Sequence, residues 1–319
     1  MPTLADRLMI NNKLYFAVLS IAALSLTALA AFGTLQGSAK WAKSAREAPA
    51  PREQHVTLPI RTEESTNGAS RPVIVGRLLE AEVPFLLDTG GQTSMLTEDW
   101  KDRVSIEGQT EAVDSNGKRL MYSTGPMRLV LGKITLDDVR FGMPGEYLQL
   151  THGRRIWNTD GVTLGQDVLS RYHVVIDGPK RELSLLHSGD LPDAHGWVSF
   201  EGFWGTRHLT VVAMGRDDRE MRVFLDTGYV LSRIAKEYAA PQPHPVDVRI
   251  GSNRIVGYAP QVLEGGDLTF SNPEKGDIVI HCTLGWDVLK KCRLEISYKH
   301  QKLRVTQHNR QQRNAADSR

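Results

Sequence analysis

Two apolar runs in this 319-residue chain end in the same triplet, Asp-Thr-Gly. The first run has Asp88 at its carboxyl end and the second has Asp226, and a serine follows each Asp six residues later. An apolar run of strand length, closed by a glycine that permits a sharp turn, predicts a β-strand that presents its last side chain on a loop. The repetition therefore predicts two such loops, each carrying one carboxylate.

A second pair of similar segments follows the two triplets. Residues 161–169 contain Thr-Leu-Gly and a short apolar stretch, and the same pattern returns in residues 281–289. Two further apolar runs, typical of a closing β-hairpin, come after each copy. Because the whole order of motifs recurs, and because strand-like runs and turn residues dominate, the sequence predicts an all-β protein of two similar lobes.

The chemistry of the paired triplets depends on their meeting. If the lobes are related by a pseudo-twofold axis, Asp88 and Asp226 face each other across it. Two carboxyl groups a few ångströms apart do not both ionise readily, so they hold one proton between them. One can then act as a general base on a water molecule while the other acts as a general acid. Asp88 and Asp226 are therefore the predicted catalytic residues.

With both repeated motifs in view, the chain resembles a retropepsin-type aspartic protease duplicated within one polypeptide, and so a minimal bilobal, pepsin-like arrangement. The resemblance covers about residues 72–187 and 205–306, and Leu164-Gly165 and Leu284-Gly285 match the apolar-Gly strand of that family. It implies two acid-protease β-barrel lobes related by a pseudo-twofold axis. The chain departs from the family at Tyr229, where a small residue is usual and where the first copy has Gly91.

The resemblance also implies roles for the residues around the two carboxylates. Thr89 and Thr227 are expected to hydrogen-bond across the axis and hold the loops face to face. Gly90 and Gly228 are expected to let backbone N–H groups approach the carboxylates. The hydroxyls of Ser94 and Ser232 are expected to join this network, with a plain turn or strand role as the alternative.

A hairpin that closes over the substrate is implied between each triplet and its Thr-Leu-Gly. In the first lobe the dipeptide Asn116-Gly117 between apolar residues is a hairpin signal. Asn116, Gly117 and Tyr122 are therefore predicted to contact the substrate, ordinary packing being the alternative for Tyr122. Residues 248–256 are the matching candidate in the second lobe.

The amino terminus has a different character. Residues 14–35 contain no charged side chain, and about twenty apolar residues suffice to span a bilayer as a helix. An uncleaved single-pass anchor is the prediction, with the catalytic part outside the cytoplasm (periplasmic). The alternative is a cleaved signal peptide, for which Ala28-Leu29-Ala30 supplies a small-x-small site, and a periplasmic or secreted protein.

Composition shifts along the chain predict its organisation. The predicted parts are a membrane anchor or signal segment at 1–35, a linker at 36–71, the first lobe at 72–187, the second lobe at 196–306 and a disordered tail at 307–319. The linker and the tail are assigned because they are polar and lack a sustained hydrophobic period.

Other classes of function find little support in the sequence. The formal net charge is +2, from 39 basic and 37 acidic residues, which favours no nucleic-acid partner. The ten histidines show no metal-ligand spacing, and no phosphate-binding glycine loop occurs, so neither a metal nor a cofactor is predicted. Cys282 and Cys292 are either a disulfide, if the protein is exported, or two buried thiols.

The sequence therefore predicts a membrane-tethered aspartic endopeptidase that acts on extended peptide or protein substrates and needs no oligomer. Two alternatives stay open. One is an inactive protein of the same fold that grips peptides by strand addition. The other is an enzyme whose pair of carboxylates forms in an intermolecular dimer.

Overall fold

The computed structural model describes residues 55–64, 70–114, 117–150, 162–187, 189, 191, 195–201, 209–239, 246–257, 261–263, 268–272 and 276–307. Within these ranges the chain consists almost entirely of β-strands, numbered here in chain order. Those of the first half are β1 (Val56–Pro59), β2 (Arg61–Glu64), β3 (Ser70–Leu78), β4 (Ala81–Leu87), β5 (Ile106–Asp114), β6 (Gly117–Thr124), β7 (Met127–Leu131), β8 (Ile134–Val139), β9 (Gly142–Leu150), β10 (Val162–Leu164), β11 (His173–Asp177) and β12 (Glu182–Leu186).

The second half repeats this β-rich pattern. Its strands are β13 (Val198–Ser199), β14 (Thr210–Met214), β15 (Glu220–Leu225), β16 (Arg233–Ala235), β17 (Val246–Ile250), β18 (Asn253–Gly257), β19 (Gln261–Leu263), β20 (Leu268–Asn272), β21 (Gly276–Ile280), β22 (Cys282–Leu284), β23 (Cys292–Ser297) and β24 (Lys302–Gln307). The helices are short: α1 (Gln166–Leu169), α2 (Trp286–Leu289) and the 3₁₀ turns Glu98–Arg103 and Lys236–Tyr238. The predicted all-β class is confirmed.

Each half is built around a sheet of the same strand order. In the first half the order is β10-β4-β3-β7-β8, with β2 added beside β3, and in the second it is β22-β15-β14-β17-β18, extended past β22 by β16 and β19. In both, the Thr-Leu-Gly strand runs parallel to the strand that ends at the Asp: Leu164 lies beside Leu87, and Leu284 beside Leu225. The equivalence that the repeated motifs predict is therefore present in the strand pairing.

The amino-acid pattern explains why these strands lie where they do. In β4, Val83, Phe85 and Leu87 are buried while the residues between them are more exposed, as expected for a strand with one face on the core. In β10 and β22 all three residues of each strand are buried, because these strands are covered on both faces. One continuous apolar core results, and it includes residues of both lobes.

A third, six-stranded sheet joins the two halves in the order β1-β12-β11-β23-β24-β13. At its centre β11 pairs with β23 in antiparallel fashion, with Val175 opposite Glu295, His173 opposite Ser297 and Asp177 opposite Arg293. Because β11 and β23 occupy equivalent places in the two halves, this pairing relates them by a local twofold axis.

The sheet between the lobes corrects the predicted linker. Residues 36–71 were assigned as linker, yet β1 lies in this range and pairs along its whole length with β12. Val56, Leu58 and Ile60 are buried, which shows the period of two expected of a half-buried strand. The first lobe therefore begins by Val56, and β2 also belongs to it through its pairing with β3.

Three predictions lie wholly or partly outside the described ranges. They concern the membrane segment at 1–35 together with residues 36–54 and 65–69 of the predicted linker, the candidate Asn116, and the tail, of which residues 308–319 are not described. Among the residues that are described, no helix combines the length and apolar character needed to cross a bilayer.

Candidate active site

Each Asp-Thr-Gly triplet forms the loop at the end of its strand, and each loop is held by the neighbouring Thr-Leu-Gly strand. The backbone N–H of Asp88 donates to the carbonyl oxygen of Leu164 at 3.1 Å, and that of Asp226 donates to Leu284 at 3.0 Å. The parallel strand pairs thus continue for one residue into the loops, which fixes the backbone from which each carboxylate projects.

The two loops are tied together by their threonines. The backbone N–H of Thr89 donates to Thr227 Oγ1 at 3.1 Å, and the N–H of Thr227 donates to Thr89 Oγ1 at 3.0 Å. Each hydroxyl in turn donates across the axis to a strand carbonyl, Thr89 to Leu225 at 3.1 Å and Thr227 to Leu87 at 2.7 Å. Both threonines are fully buried. The structure therefore contains the reciprocal cross-link that the resemblance implied for this pair.

The carboxylate of Asp88 lies in a pocket of backbone donors. Its Oδ1 accepts hydrogen bonds from the N–H groups of Gly90 and Gly91 at 2.9 and 2.7 Å. Gly228 of the other loop lies against the same carboxylate, since a methyl group placed there would be 2.6 Å from Asp88 Cγ. A glycine is thus required at 228 for the two loops to approach this closely.

Asp226 repeats the arrangement. Its Oδ1 accepts from the N–H groups of Gly228 at 2.9 Å and Tyr229 at 3.3 Å. A methyl group at Gly90 would collide with this carboxylate. Each loop therefore lies against the carboxyl group of the other, and the two carboxyl groups are close enough for each to change the pKa of the other.

Their surroundings favour one shared proton. Burial raises the pKa of Asp88, and the N–H donors of Gly91 and Gly90 oppose that rise. Burial raises the pKa of Asp226 well above its ordinary value, and the negative charge of Asp88 adds to the effect. Asp226 is 7% exposed, whereas Asp88 is more accessible. We therefore expect the pair to hold one proton, and burial together with the charge of Asp88 favours its place on Asp226.

Comparison with known proteins agrees with this geometry. No protein-family model matches the sequence, and no curated protein matches it. Among the solved structures that match is the aspartic proteinase from Irpex lacteus, which is 12% identical and aligns over 80% of this chain and 98% of that chain with a TM-score of 0.54. The chain has the fold of a pepsin-like aspartic proteinase. At this level of identity the similarity concerns the fold.

Within the aspartic-proteinase fold, Ser94 and Ser232 support the two loops indirectly, through hydrogen bonds to a second pair of aspartates. The hydroxyl of Ser94 donates to Asp167 Oδ1 at 2.7 Å, and that of Ser232 donates to Asp287 Oδ1 at 2.7 Å. The backbone N–H of each serine donates to the same oxygen. Each hydroxyl also accepts from the N–H of the glycine that precedes the helix, Gly165 at 3.0 Å or Gly285 at 2.9 Å, so the serines join each loop to the start of α1 or α2.

Asp167 and Asp287 are the residues that sequence reasoning missed at this point. Their signal was present, because an Asp stands two residues after each Leu-Gly in the repeated motif. Burial raises the pKa of Asp167 to about 6, and the donors of Ser94 oppose the shift. We call the two pairs, Ser94 with Asp167 and Ser232 with Asp287, the loop braces.

The first predicted hairpin forms from β5 and β6, and β9 joins it to give a three-stranded sheet. Gly117 begins β6, next to Asn116. Tyr122 is half-buried and packs against the core, which favours the packing alternative for its ring. The base of this sheet lies beside the loop that follows Asp88, because the N–H of Gly142 donates to the carbonyl of Ser94 at 2.8 Å.

The second predicted hairpin forms but occupies a different place. β17 pairs with β14 through Met214 and Arg249, as β7 pairs with β3, so β17–β18 is the counterpart of β7–β8 and not of β5–β6. The prediction of a flap at 248–256 was therefore wrong, because a local hairpin signal does not specify the strand with which the hairpin pairs.

Tyr229 differs from its counterpart Gly91 in what it brings to the loop. Its hydroxyl accepts a hydrogen bond from the Arg233 guanidinium at 2.9 Å, and that guanidinium lies 4.7 Å from the centre of the ring. Arg233 was not singled out from the sequence. Its position beside the second triplet was visible, but its pairing with the tyrosine was not.

The remaining candidates are simpler. Cys282 and Cys292 are free, buried thiols, so the structure has the second of the two predicted alternatives and not the disulfide. Burial raises the pKa of each thiol to about 12. No cluster of three or more His, Cys, Asp or Glu side chains suited to a metal occurs in the described part of the chain.

Proposed function

We propose that this protein is an aspartic endopeptidase that hydrolyses peptide bonds with a water molecule activated between Asp88 and Asp226. The observation that carries the proposal is the approach of the two loops across the reciprocal Thr89–Thr227 hydrogen bonds, which brings Gly228 against the carboxyl group of Asp88 and Gly90 against that of Asp226. We further propose that the two lobes arose by tandem duplication, since their motifs and strand orders correspond.

The reaction follows from the protonation states. Asp88, ionised, takes a proton from the water as its oxygen attacks the carbonyl carbon of the substrate. Asp226, protonated, gives its proton to the carbonyl oxygen, so that a neutral tetrahedral diol forms. Asp88 then delivers its newly acquired proton to the amide nitrogen, Asp226 takes a proton back from the diol, and the carbon–nitrogen bond breaks. The pair ends in its starting state without a covalent intermediate.

The scaffold contributes rigidity and charge stabilisation. Backbone N–H groups hold one oxygen of each carboxylate, which leaves the other oxygens for water and substrate. The threonine cross-link and the loop braces fix the separation of the carboxylates, and such preorganisation costs nothing at the moment of reaction.

Single substitutions at the two positions test the proposal. Asp88→Asn and Asp226→Asn should each lower kcat/KM by about 10² to 10⁴-fold against a broad peptide library, assayed between acid and neutral pH, because each removes a general acid–base group. Loss in Asp88→Asn alone would indicate the intermolecular dimer instead. The approach of the two Asp-Thr-Gly loops within one chain favours the intrachain pair.

An inactive peptide-binding protein is the second candidate. The observation that favours it is Tyr229, whose bulk stands beside Asp226 where the first lobe has Gly91. If the wild type binds extended peptides and cleaves none of them, and both Asn variants bind equally well, this candidate replaces the peptidase.

We also propose that residues 1–35 anchor the protein in a membrane with both lobes outside the cytoplasm. The support is the uncharged stretch at 14–35. Membrane fractionation combined with protease accessibility of a carboxyl-terminal tag tests it. An accessible tag in intact spheroplasts, with the protein in the membrane fraction, is expected; a soluble protein would show cleavage, and a protected tag would reverse the orientation.

A further inference from the structure

We propose that Arg233 selects peptide substrates that carry a carboxylate near the scissile bond. The inference rests on the proposed peptidase function and adds a substrate class to it. The residues that carry it are those of the loop after the second triplet.

Burial alternates along this loop and shows which side chains face outward. Val230, Ser232 and Ile234 are buried. Tyr229, Leu231 and Arg233 are accessible, and Leu231 is 51% exposed. The backbone bends at Val230 and Leu231, and the guanidinium of Arg233 lies 4.7 Å from the centre of the Tyr229 ring, so these two side chains lie together, with the exposed Leu231 between them in the sequence. We call Tyr229, Leu231 and Arg233 the lobe-2 face.

This face begins at the reacting centre. The N–H of Tyr229 donates to Asp226 Oδ1, and the hydroxyl of the same tyrosine accepts from Arg233. One tyrosine side chain therefore spans the distance between the catalytic carboxylate and the guanidinium. A substrate residue bound next to the scissile bond on this side comes within reach of Arg233.

Arg233 has no acidic partner among the residues that the structure describes. Its contacts in the described part of the chain are the neutral hydroxyl and the ring of Tyr229. Its Nε is buried and lacks a hydrogen-bond partner there. Elsewhere in the same half, Arg249 pairs with Asp218, and Arg304 with Glu295. A partly desolvated guanidinium without an anion gains more from a ligand carboxylate than a solvated, paired one does.

The equivalent position in the first lobe carries no charge. Met95 faces Thr163 as Arg233 faces Thr283, so the two residues are structural counterparts. Met95 is also close to the sheet of β5, β6 and β9, since a methyl group at Gly142 would lie 2.6 Å from its Sδ. The cation is therefore specific to one lobe, and we expect a carboxylate preference on one side of the scissile bond.

A guanidinium matches a carboxylate geometrically, since two parallel N–H groups can meet two oxygens. Such a carboxylate comes either from a Glu or Asp side chain or from the carboxyl terminus of the peptide. Both sources have the same chemistry, and paired peptides distinguish them.

The test begins from a neutral peptide that the wild-type protein cleaves. Glu and Gln are placed in turn at each of the nearest positions on both sides of the bond, and the peptide is made with a free or an amidated carboxyl terminus. We expect one position, or the free terminus, to raise kcat/KM by about tenfold or more over its neutral partner. Arg233→Met, which copies the first lobe, should reduce that ratio to about one, and Arg233→Lys should retain part of it.

Arg249→Met is the matched control, because it removes an exposed arginine of the same lobe that already has a carboxylate partner. It should leave the preference unchanged. Cleavage without any acidic preference, or a preference that survives Arg233→Met, would overturn the assignment while leaving the peptidase intact.

Failure of the peptidase itself is distinguishable. If the wild type cleaves nothing, the same fluorescently labelled peptides are tested for binding by polarisation. Tighter binding of the acidic peptide that is lost in Arg233→Met would support the role of Arg233 without catalysis. Equal binding of both peptides would refute it.

Discussion

The two lobes share the parts that hold the carboxylates and differ in the parts that face outward. Thr89 and Thr227 make reciprocal bonds, and the loop braces repeat with hydroxyl–carboxylate distances of 2.7 Å in both lobes. The residues that follow Gly90 and Gly228 on the accessible side do not repeat. Where the first lobe has Gly91, Thr93 and Met95, the second has the lobe-2 face.

The difference extends to the strands. The first lobe carries the sheet of β5, β6 and β9 beside its loop, whereas in the described part of the second lobe the next strands after the loop, β16 and β17, belong to its main sheet. Features that position the two carboxylates meet the same geometric demand in both lobes, whereas the outward-facing residues would, under the proposed function, meet different residues of a substrate. The symmetry thus separates scaffold from specificity.

The largest expected effect is on the shared scaffold. Gly90→Ala and Gly228→Ala each place a methyl group against the carboxylate of the opposite lobe. Since a displacement of about 1 Å at a reacting group can cost about 10²-fold in rate, each variant should lose at least about that much in kcat/KM. Peptide cleavage assays measure the loss. A large loss in one variant with wild-type activity in the other would show that the two lobes are not equivalent at this position.

The threonine cross-link should show the next largest effect, on stability. Thr89→Val or Thr227→Val removes a hydroxyl that both accepts from an N–H and donates to a carbonyl, and so leaves two buried groups unpaired. At about 1–3 kcal/mol for each unpaired group, we expect a loss of about 2–6 kcal/mol in the free energy of unfolding. Urea denaturation of both variants measures it, and the two losses should be similar.

Thr283→Val is the control for these substitutions. The hydroxyl of Thr283 is buried and has no hydrogen-bond partner in the described ranges, so its replacement by a methyl group should cost little or stabilise the protein. A loss at Thr283 as large as that at Thr227 would show that the side-chain change itself, and not the cross-link, is responsible.

The brace of the first lobe makes stability depend on pH. Burial raises the pKa of Asp167 from 3.8 to about 6, so between these values the folded state binds a proton that the unfolded state releases. The favourable contribution is complete below pH 3.8 and is lost as pH rises through 6, a change of about 2–3 kcal/mol. Asp167→Asn keeps an acceptor for Ser94 but does not titrate.

The measurement compares the unfolding free energies of wild type and Asp167→Asn at several values between pH 4 and pH 7. The wild type should lose stability relative to the variant as pH rises, because other titrating groups are common to both. Parallel curves would show that Asp167 does not titrate in this range.

Much of the arrangement could be predicted from local patterns. The repeated triplets and Thr-Leu-Gly segments predicted two β-lobes and the pairing of Asp88 with Asp226, which the structure brings together; their catalytic role stays a prediction. The predictions that were wrong concerned segments whose place in the fold depends on pairing with distant parts of the chain. β1 is four residues long and becomes recognisable as a strand through β12, and β17–β18 is a hairpin whose place is set by β14.

The site shows the same limit. A repeated Asp at positions 167 and 287 is visible in the sequence, but its hydrogen bond to a serine on another loop is a tertiary contact. The role proposed for Arg233 likewise depends on the absence of an acidic partner among its described neighbours. A sequence does not show which charged side chains lack a partner.

The smallest expected effect sharpens the contrast between Tyr229 and Gly91. Tyr229→Ala keeps the backbone N–H that donates to Asp226 but removes the ring beside it. Because burial is the main cause of the raised pKa of Asp226, admitting water should lower that pKa. Catalysis needs Asp226 protonated, so the alkaline limb of the pH profile of kcat should move to lower pH. The acid limb, set by Asp88, should stay in place, and a shift of both limbs together would indicate a general loosening of the loops and not a local role of this ring.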